Sequence, residues 1–115
     1  MKIRIKDNSL RYRLSQSEVS TLVKEGETWS KCQFGSGELK YGLQAIDADS
    51  ITSVFKNDEL LTKVPRTLLK NWDIDQRVGF DTNIDGLFVL IEKDWQCLKP
   101  RDHEDESNLY VHPAS

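Results

Sequence analysis

The chain has 115 residues, of which 37% are hydrophobic and 30% are charged. These values are typical of one globular domain with its own core rather than of a disordered chain. The formal net charge of -3 provides no overall attraction to nucleic acid or to an anionic membrane. A partner of either kind would need a local basic patch, so the composition argues against a nucleic-acid-binding protein.

Targeting and membrane segments are not predicted. The start of the chain alternates charged and apolar residues, which is unlike a signal peptide. The longest apolar stretch, residues 87–91, is much shorter than the roughly 20 residues that cross a bilayer. The only two cysteines, Cys32 and Cys97, then indicate a reducing compartment, with a disulfide between them as the minor alternative. We therefore expect a cytoplasmic protein.

The first predicted element is a β-hairpin over residues 2–14. Apolar and charged residues alternate on both sides of Asp7-Asn8-Ser9, and Asp and Asn tolerate the left-handed backbone of a two-residue hairpin turn. A loop at 7–8 or at 8–9 places the same side chains on the inner face. These inner residues are Ile3, Ile5, Leu10, Tyr12 and Leu14.

Further short elements follow the hairpin. Ser15 and Glu18 form a capping-box pattern, and Gly26 stands where a left-handed helix C-cap would lie, so a helix is predicted between them. Pro65 suits the first turn of a second, brief helix over residues 66–72. The remaining strands are predicted over residues 28–34, 38–46, 51–55, 60–64, 77–82 and 87–95, with turn formers between them. The three tryptophans, Trp29, Trp72 and Trp95, are expected in core or half-buried positions.

This order of elements predicts an α+β fold. The sheet should be mostly antiparallel, built of short strands as a sandwich or a partly open barrel, with one or two short helices. Residues 1–98 are expected to form a single β-rich domain. Residues 99–115 are rich in acidic side chains and lack periodicity, so they are predicted to be an irregular C-terminal extension.

The outer side of the N-terminal hairpin is predicted to be strongly basic, and we refer to it as the basic face. It would carry Lys2, Arg4, Lys6, Arg11 and Arg13. Like charges across a strand pair are destabilising, so we expect acidic side chains of a neighbouring strand, Glu92 and Asp94, to compensate them. A phosphate-bearing or nucleic-acid ligand on this face is the alternative interpretation.

A second concentration of ionisable groups lies in residues 97–106, which hold a thiol, an imidazole and four carboxylates. Zn²⁺ binds these three kinds of ligand, but the spacing here matches no standard zinc pattern. The candidate metal ligands would be Cys97, His103, Glu104 and Asp105, with His112 as a further one.

An ion pair explains the same segment without a metal. Arg101 has the planar fork that can hold two carboxylate oxygens at once. We expect it to pair with carboxylates of its own segment or with Glu92 and Asp94. No cofactor is then required.

Common catalytic motifs do not occur in the chain. It has no Walker loop, no G-x-G-x-x-G, no H-E-x-x-H and no G-x-S-x-G. Basic strands also line the barrels of triphosphate tunnel enzymes, but their Glu-x-Glu-x-Lys pattern is replaced here by Lys2-Ile3-Arg4-Ile5-Lys6. The alternative hypothesis is a phosphate- or metal-dependent enzyme that uses the basic face together with the acidic C-terminal segment.

Both ends of the chain resemble a known family. The start follows the pattern MKIRIK-x-NS-x-R-x-RL-x-QSEV, and the close follows LIEKD-aromatic-x-CL-x-PR-x-x-EDE. These segments are similar to a family of small bacterial proteins of unknown function. The resemblance implies no activity. From the residues themselves we expect a non-enzymatic binding or interaction module that contacts an anionic small molecule or a protein partner through the basic face.

Overall fold

The computed structural model describes residues 1–94, which contain eight strands and two helices. The predicted α+β class with mostly antiparallel strands is confirmed, since four of the six strand pairs are antiparallel. In chain order the elements are β1 (Lys2–Lys6), β2 (Ser9–Leu14), α1 (Gln16–Glu25), β3 (Glu27–Phe34), β4 (Gly37–Ile46), β5 (Thr52–Lys56), β6 (Glu59–Pro65), α2 (Arg66–Leu69), β7 (Gly79–Ile84) and β8 (Leu87–Lys93).

The strands form two four-stranded sheets with the same internal order. One sheet has the order β1-β2-β8-β7, and the other has the order β3-β4-β6-β5. In each sheet two antiparallel hairpins are joined by a parallel pair of their second strands, β2 with β8 and β4 with β6. The parallel pairs were not predicted from the sequence.

The chain divides into two compact units, and each contains one sheet. Within residues 1–94, the first unit comprises Met1–Val19 and residues 77–94, and the second comprises Ser20–Gln76. The first sheet therefore combines strands from the two ends of the described chain.

The predicted N-terminal hairpin is confirmed, with the two-residue loop at 7–8. Lys6 pairs with Ser9, and Asp7 has a φ of 49°, in the left-handed region that Asp tolerates. The Asn8 side chain donates a hydrogen bond of 2.8 Å to the carbonyl of Gly86, in the loop of the β7–β8 hairpin. The loops of the two hairpins are thereby joined at one end of the first sheet.

The predicted inner face holds along β2 but only partly along β1. Leu10, Tyr12 and Leu14 are buried, as are their neighbours on β8. Ile5, predicted to pack inward, is instead 61% exposed, and Ile3 is half-buried. The register is as predicted, but β1 is an edge strand of its sheet, so its inward side chains have strand neighbours on one side only.

The second unit has its own buried layer, on one face of the β3-β4-β6-β5 sheet. Within it the hydroxyls of Ser53 and Thr62 lie 2.7 Å apart, which satisfies a polar pair at a buried position. The buried hydrophobic residues of this unit are Leu22, Leu43, Ala45, Ile51, Leu60, Val64, Leu69 and Trp72. Trp29 is half-exposed at 37%, and Trp95 lies outside the described residues.

Both helices begin where the sequence predicts. The Ser15 amide donates to the Glu18 carboxylate at 2.9 Å, and the Glu18 amide approaches the Ser15 hydroxyl at 3.4 Å, which is the reciprocal capping box. Gly26 follows α1 with a φ of 88°. The second helix ends at Leu69 rather than at residue 72, because Lys70 has an extended ψ of 120° and Asn71 a φ of 65°. No helix within residues 1–94 has the length and apolarity to cross a membrane.

Candidate anion-binding face

The basic face extends across all four strands of the first sheet. Paired residues of neighbouring strands point to the same side, so the strand register defines three rows across this face. The rows are Lys2, Arg13, Glu92 and Gly79; Arg4, Arg11, Leu90 and Asp81; and Lys6, Ser9, Phe88 and Asn83. All five cations of the predicted site are therefore on one side of one sheet.

Glu92 is the central acid of the first row. Its Oε1 accepts hydrogen bonds from Nε of Arg11 at 2.7 Å and from Nε of Arg13 at 3.0 Å. The carboxylate is largely buried, whereas the two arginine side chains are about one-third exposed. One acid thus compensates two cations that are two positions apart on β2.

Gly79 provides the space in which Glu92 lies. A Cβ atom at Gly79 would be 2.1 Å from the carbonyl oxygen of Ile91 and 2.7 Å from Cα of Glu92. Any side chain at this position would force β7 away from β8. The glycine is therefore required by close strand packing beside the central acid.

Asp94 balances the positive charge of Lys2 and Arg13 in the same row. Its carboxylate lies 3.0 Å from Nζ of Lys2 and 4.0 Å from a terminal nitrogen of Arg13. The Asp94 amide also donates to the carbonyl of Leu14 at 2.8 Å, which holds the residue beside the end of β2. Three of the five cations thus have a carboxylate neighbour.

Arg4 and Lys6 differ from the other three cations. Both are exposed, and neither forms an ion pair with any residue in the described part of the chain. Arg4 also lies directly opposite Arg11 in the strand register, so two arginine side chains leave the same side of the hairpin at the same level. Positive charge without an ion-pair partner in residues 1–94 is therefore concentrated at Arg4 and Lys6.

Two shallow depressions lie over this region. One of about 330 Å³ is lined by Lys2, Ile3, Arg4, Arg11 and Arg13. The other, of about 300 Å³, is lined by Arg4, Lys6, Ser9, Leu10, Arg11, Phe88 and Leu90. Arg4 and Arg11 line both, and they mark the centre of the candidate site.

Phe88, Leu90 and Asp81 belong to this face but were missed by sequence reasoning. They lie beside the cations only because β8 pairs in parallel with β2 and β7 pairs with β8. Pairing between strands about 80 residues apart leaves no local pattern. The only available signal was the apolar run over residues 87–91, which predicts a strand but does not identify its partner strand.

A third depression lies on the second sheet. It has a volume of about 460 Å³ and is lined by Trp29, Ser30, Lys31, Lys40 and Glu59. Lys31 and Lys40 are partners in the register of the β3–β4 hairpin, as Arg4 and Arg11 are in that of β1–β2. Lys31 has a carboxylate neighbour, Glu38, at 3.8 Å. This pair offers a matched control for experiments on the basic face.

The acidic segment, with Arg101 and the candidate metal ligands, lies outside the described residues, and so does the predicted extension 99–115. Within residues 1–94 no group of three or more His, Cys, Asp or Glu side chains is arranged to hold a metal ion. Cys32, in the same range, is an exposed free thiol.

Comparisons with known proteins identify the family but no activity. No curated protein and no solved structure gives a significant match to the chain. One family model matches residues 1–114, which is nearly the whole chain, and its description is a family of unknown function (DUF7009). The protein therefore belongs to this family of unknown function.

Proposed function

We propose that the protein is a non-enzymatic binding module that holds an anionic ligand on the basic face, with Arg4, Lys6 and Arg11 as its main contacts. One observation carries this proposal. Arg4 lies directly opposite Arg11, and neither Arg4 nor Lys6 has a carboxylate partner within residues 1–94.

The charge balance of the basic face supports the binding of an anion. Five cations share it with three carboxylates, Glu92, Asp94 and Asp81, which leaves two positive charges in excess. The carboxylates of Glu92 and Asp94 are engaged by Lys2, Arg11 and Arg13. The excess is therefore localised at Arg4 and Lys6, in the middle and at the turn end of β1, rather than spread over the sheet.

The chemistry of the unpaired groups fits a phosphate or a carboxylate. A guanidinium presents two N–H donors in a plane that matches two oxygens of such a ligand, and the ammonium of Lys6 adds a point charge two residues along the strand. An anion seated between Arg4 and Arg11 would also remove their repulsion across the hairpin. Binding and hairpin stability would therefore be coupled.

Titration with pyrophosphate tests the proposal. Binding to the wild-type chain is followed by changes in amide chemical shifts. The shifts should saturate at about 0.01 M ionic strength, and the affinity should fall strongly when the ionic strength is raised to about 0.15 M. The double variant Arg4→Gln with Lys6→Gln should bind about tenfold more weakly, because two direct charged contacts are lost.

The matched control is Lys31→Gln with Lys40→Gln. This variant changes the net charge by the same amount at the like-charged pair of the second sheet, and it should keep the wild-type affinity within about twofold. An equal loss in both double variants would mean that only overall charge matters. That result, or the lack of saturation in the wild type, would contradict the proposal.

A further inference from the structure

The open edge of β1 presents a defined set of backbone groups. The carbonyls of Asn8 and Leu14 accept hydrogen bonds from Phe88 and Asp94, so the even-numbered residues along β2 direct their backbone groups towards β8. The odd-numbered residues of β2 therefore direct theirs towards β1. Since backbone direction alternates along a strand, Lys2, Arg4 and Lys6 bond to β2, while Ile3 and Ile5 point away from it.

Ile3 and Ile5 thus carry two N–H and two C=O groups along the free edge of the sheet. β1 is the outer strand in the order β1-β2-β8-β7, and no described residue provides a hydrogen-bond partner for these groups. Unpaired strand edges of this kind are templates for the addition of a further strand.

The side chains at this edge add a chemical pattern. On one side lie the cations of β1, of which Arg4 and Lys6 are uncompensated within residues 1–94. On the other side lie Ile3, which is half-buried, and Ile5, which is 61% exposed. An added strand would therefore meet positive charge and apolar surface at alternate positions.

We propose that β1 accepts an extended segment of a partner protein in which acidic and apolar residues alternate, as a fifth antiparallel strand of the first sheet. Its acidic side chains lie opposite Lys2, Arg4 and Lys6, and its apolar side chains lie opposite Ile3 and Ile5. This inference rests on the proposed anion-binding function and names a polypeptide carboxylate as the anion. The backbone bonds provide affinity, and the alternation provides specificity.

Two other occupants fit this edge less well. A second copy of the chain, pairing through its own β1, would bring the Lys2, Arg4 and Lys6 cations of both copies to one side of the sheet, where they repel. The acidic residues of the chain itself, in residues 102–106, are almost consecutive and have no apolar residue between them. They do not match the alternation of β1.

Charged residues on an edge strand also protect against unwanted pairing, so the protective role must be distinguished from a binding role. A purely protective edge would be short, bulged or charged on both sides. Here five consecutive residues of β1 pair in regular register with β2, and the apolar side of the edge carries exposed Ile5. That combination suits strand addition better than protection.

The test uses the full chain and a capped peptide with the core Glu-Val-Glu-Val-Glu, labelled for fluorescence anisotropy. The first control peptide has the same composition in the order Glu-Glu-Val-Val-Glu. The second control is the alternating peptide with N-methyl groups on both valines, which keeps every side chain and charge but removes the donors that face Ile3 and Ile5. Each control should bind about tenfold more weakly than the alternating peptide.

Two single-residue variants distinguish strand addition by a peptide from simple anion binding. Ile5→Ala should weaken the peptide several-fold and leave pyrophosphate binding unchanged, whereas Arg4→Gln should weaken both ligands. Equal binding of the N-methylated peptide would overturn strand addition, as would protection of the Ile3 and Ile5 amides from hydrogen exchange in the free protein. Pyrophosphate binding without peptide binding would overturn this inference alone, and failure of both ligands would overturn the proposed function as well.

Discussion

The Nε atom of Arg11 donates a 2.7 Å hydrogen bond to Oε1 of Glu92, across the parallel pair of β2 and β8. The two residues are 81 positions apart in the chain. This contact links the N-terminal hairpin to the last described strand, and it places a buried carboxylate next to the arginines of β2 on the basic face. The stability of the first sheet and the charge of the candidate site therefore depend on the same residue.

Replacement of Glu92 by Gln should lower the free energy of unfolding by about 2 kcal/mol, because two arginines lose their shared charged acceptor. The loss is smaller than for a fully buried pair, since both arginines are one-third exposed. Urea denaturation measures the change. Glu59→Gln is the control: Glu59 is exposed and lacks an ion pair among the described residues, so its change should stay below about 0.5 kcal/mol. Similar values for both variants would contradict a structural role for Glu92.

Gly79→Ala should destabilise the protein by about 3 kcal/mol or more, because the new methyl group would overlap the backbone of β8 rather than a movable side chain. The control is Gly37→Ala, where a Cβ would have no neighbour within 4 Å and the backbone is not left-handed. That variant should remain within about 0.5 kcal/mol of the wild type. A tolerated alanine at position 79 would show that β7 and β8 are not packed as closely as described.

Asp94→Asn should strengthen pyrophosphate binding by about two- to threefold at low ionic strength, because it frees Lys2 and adds one positive charge to the basic face. The gain should fade at about 0.15 M ionic strength. Asp47→Asn makes the same change of charge in the second unit, where Asp47 pairs with Arg66, and should leave the affinity unaltered. A gain of equal size in both variants would assign the effect to net charge alone.

Asp58→Gly should raise the free energy of unfolding by about 0.5–1 kcal/mol. Asn57 and Asp58 both have positive φ values, 54° and 62°, in the loop between β5 and β6. A loop with two left-handed residues favours Asn-Gly, since glycine adopts this conformation without steric cost. Thermal or urea denaturation should show the increase, and a decrease would mean that the Asp58 side chain contributes a stabilising contact.

The sequence was sufficient for the local elements. Alternation on both sides of Asp7-Asn8 predicted the hairpin, and the Ser15 and Glu18 pair predicted the start of α1, because both patterns depend on residues a few positions apart. The sharing of one face by the five cations followed from the hairpin alone. These features are encoded in backbone periodicity and in side chain to backbone hydrogen bonds, which act locally.

Only the tertiary structure decided what lies beside that hairpin. The parallel pairing of β2 with β8 places Glu92 between Arg11 and Arg13 and leaves Arg4 and Lys6 without an acid in residues 1–94. It also sets β1 at the sheet edge, where Ile5 is exposed despite its place in the apolar alternation. Strand pairing across such a distance depends on the fit of complete faces in the folded chain. A linear pattern determines on which face of a strand a residue lies, but not which strand pairs with that strand.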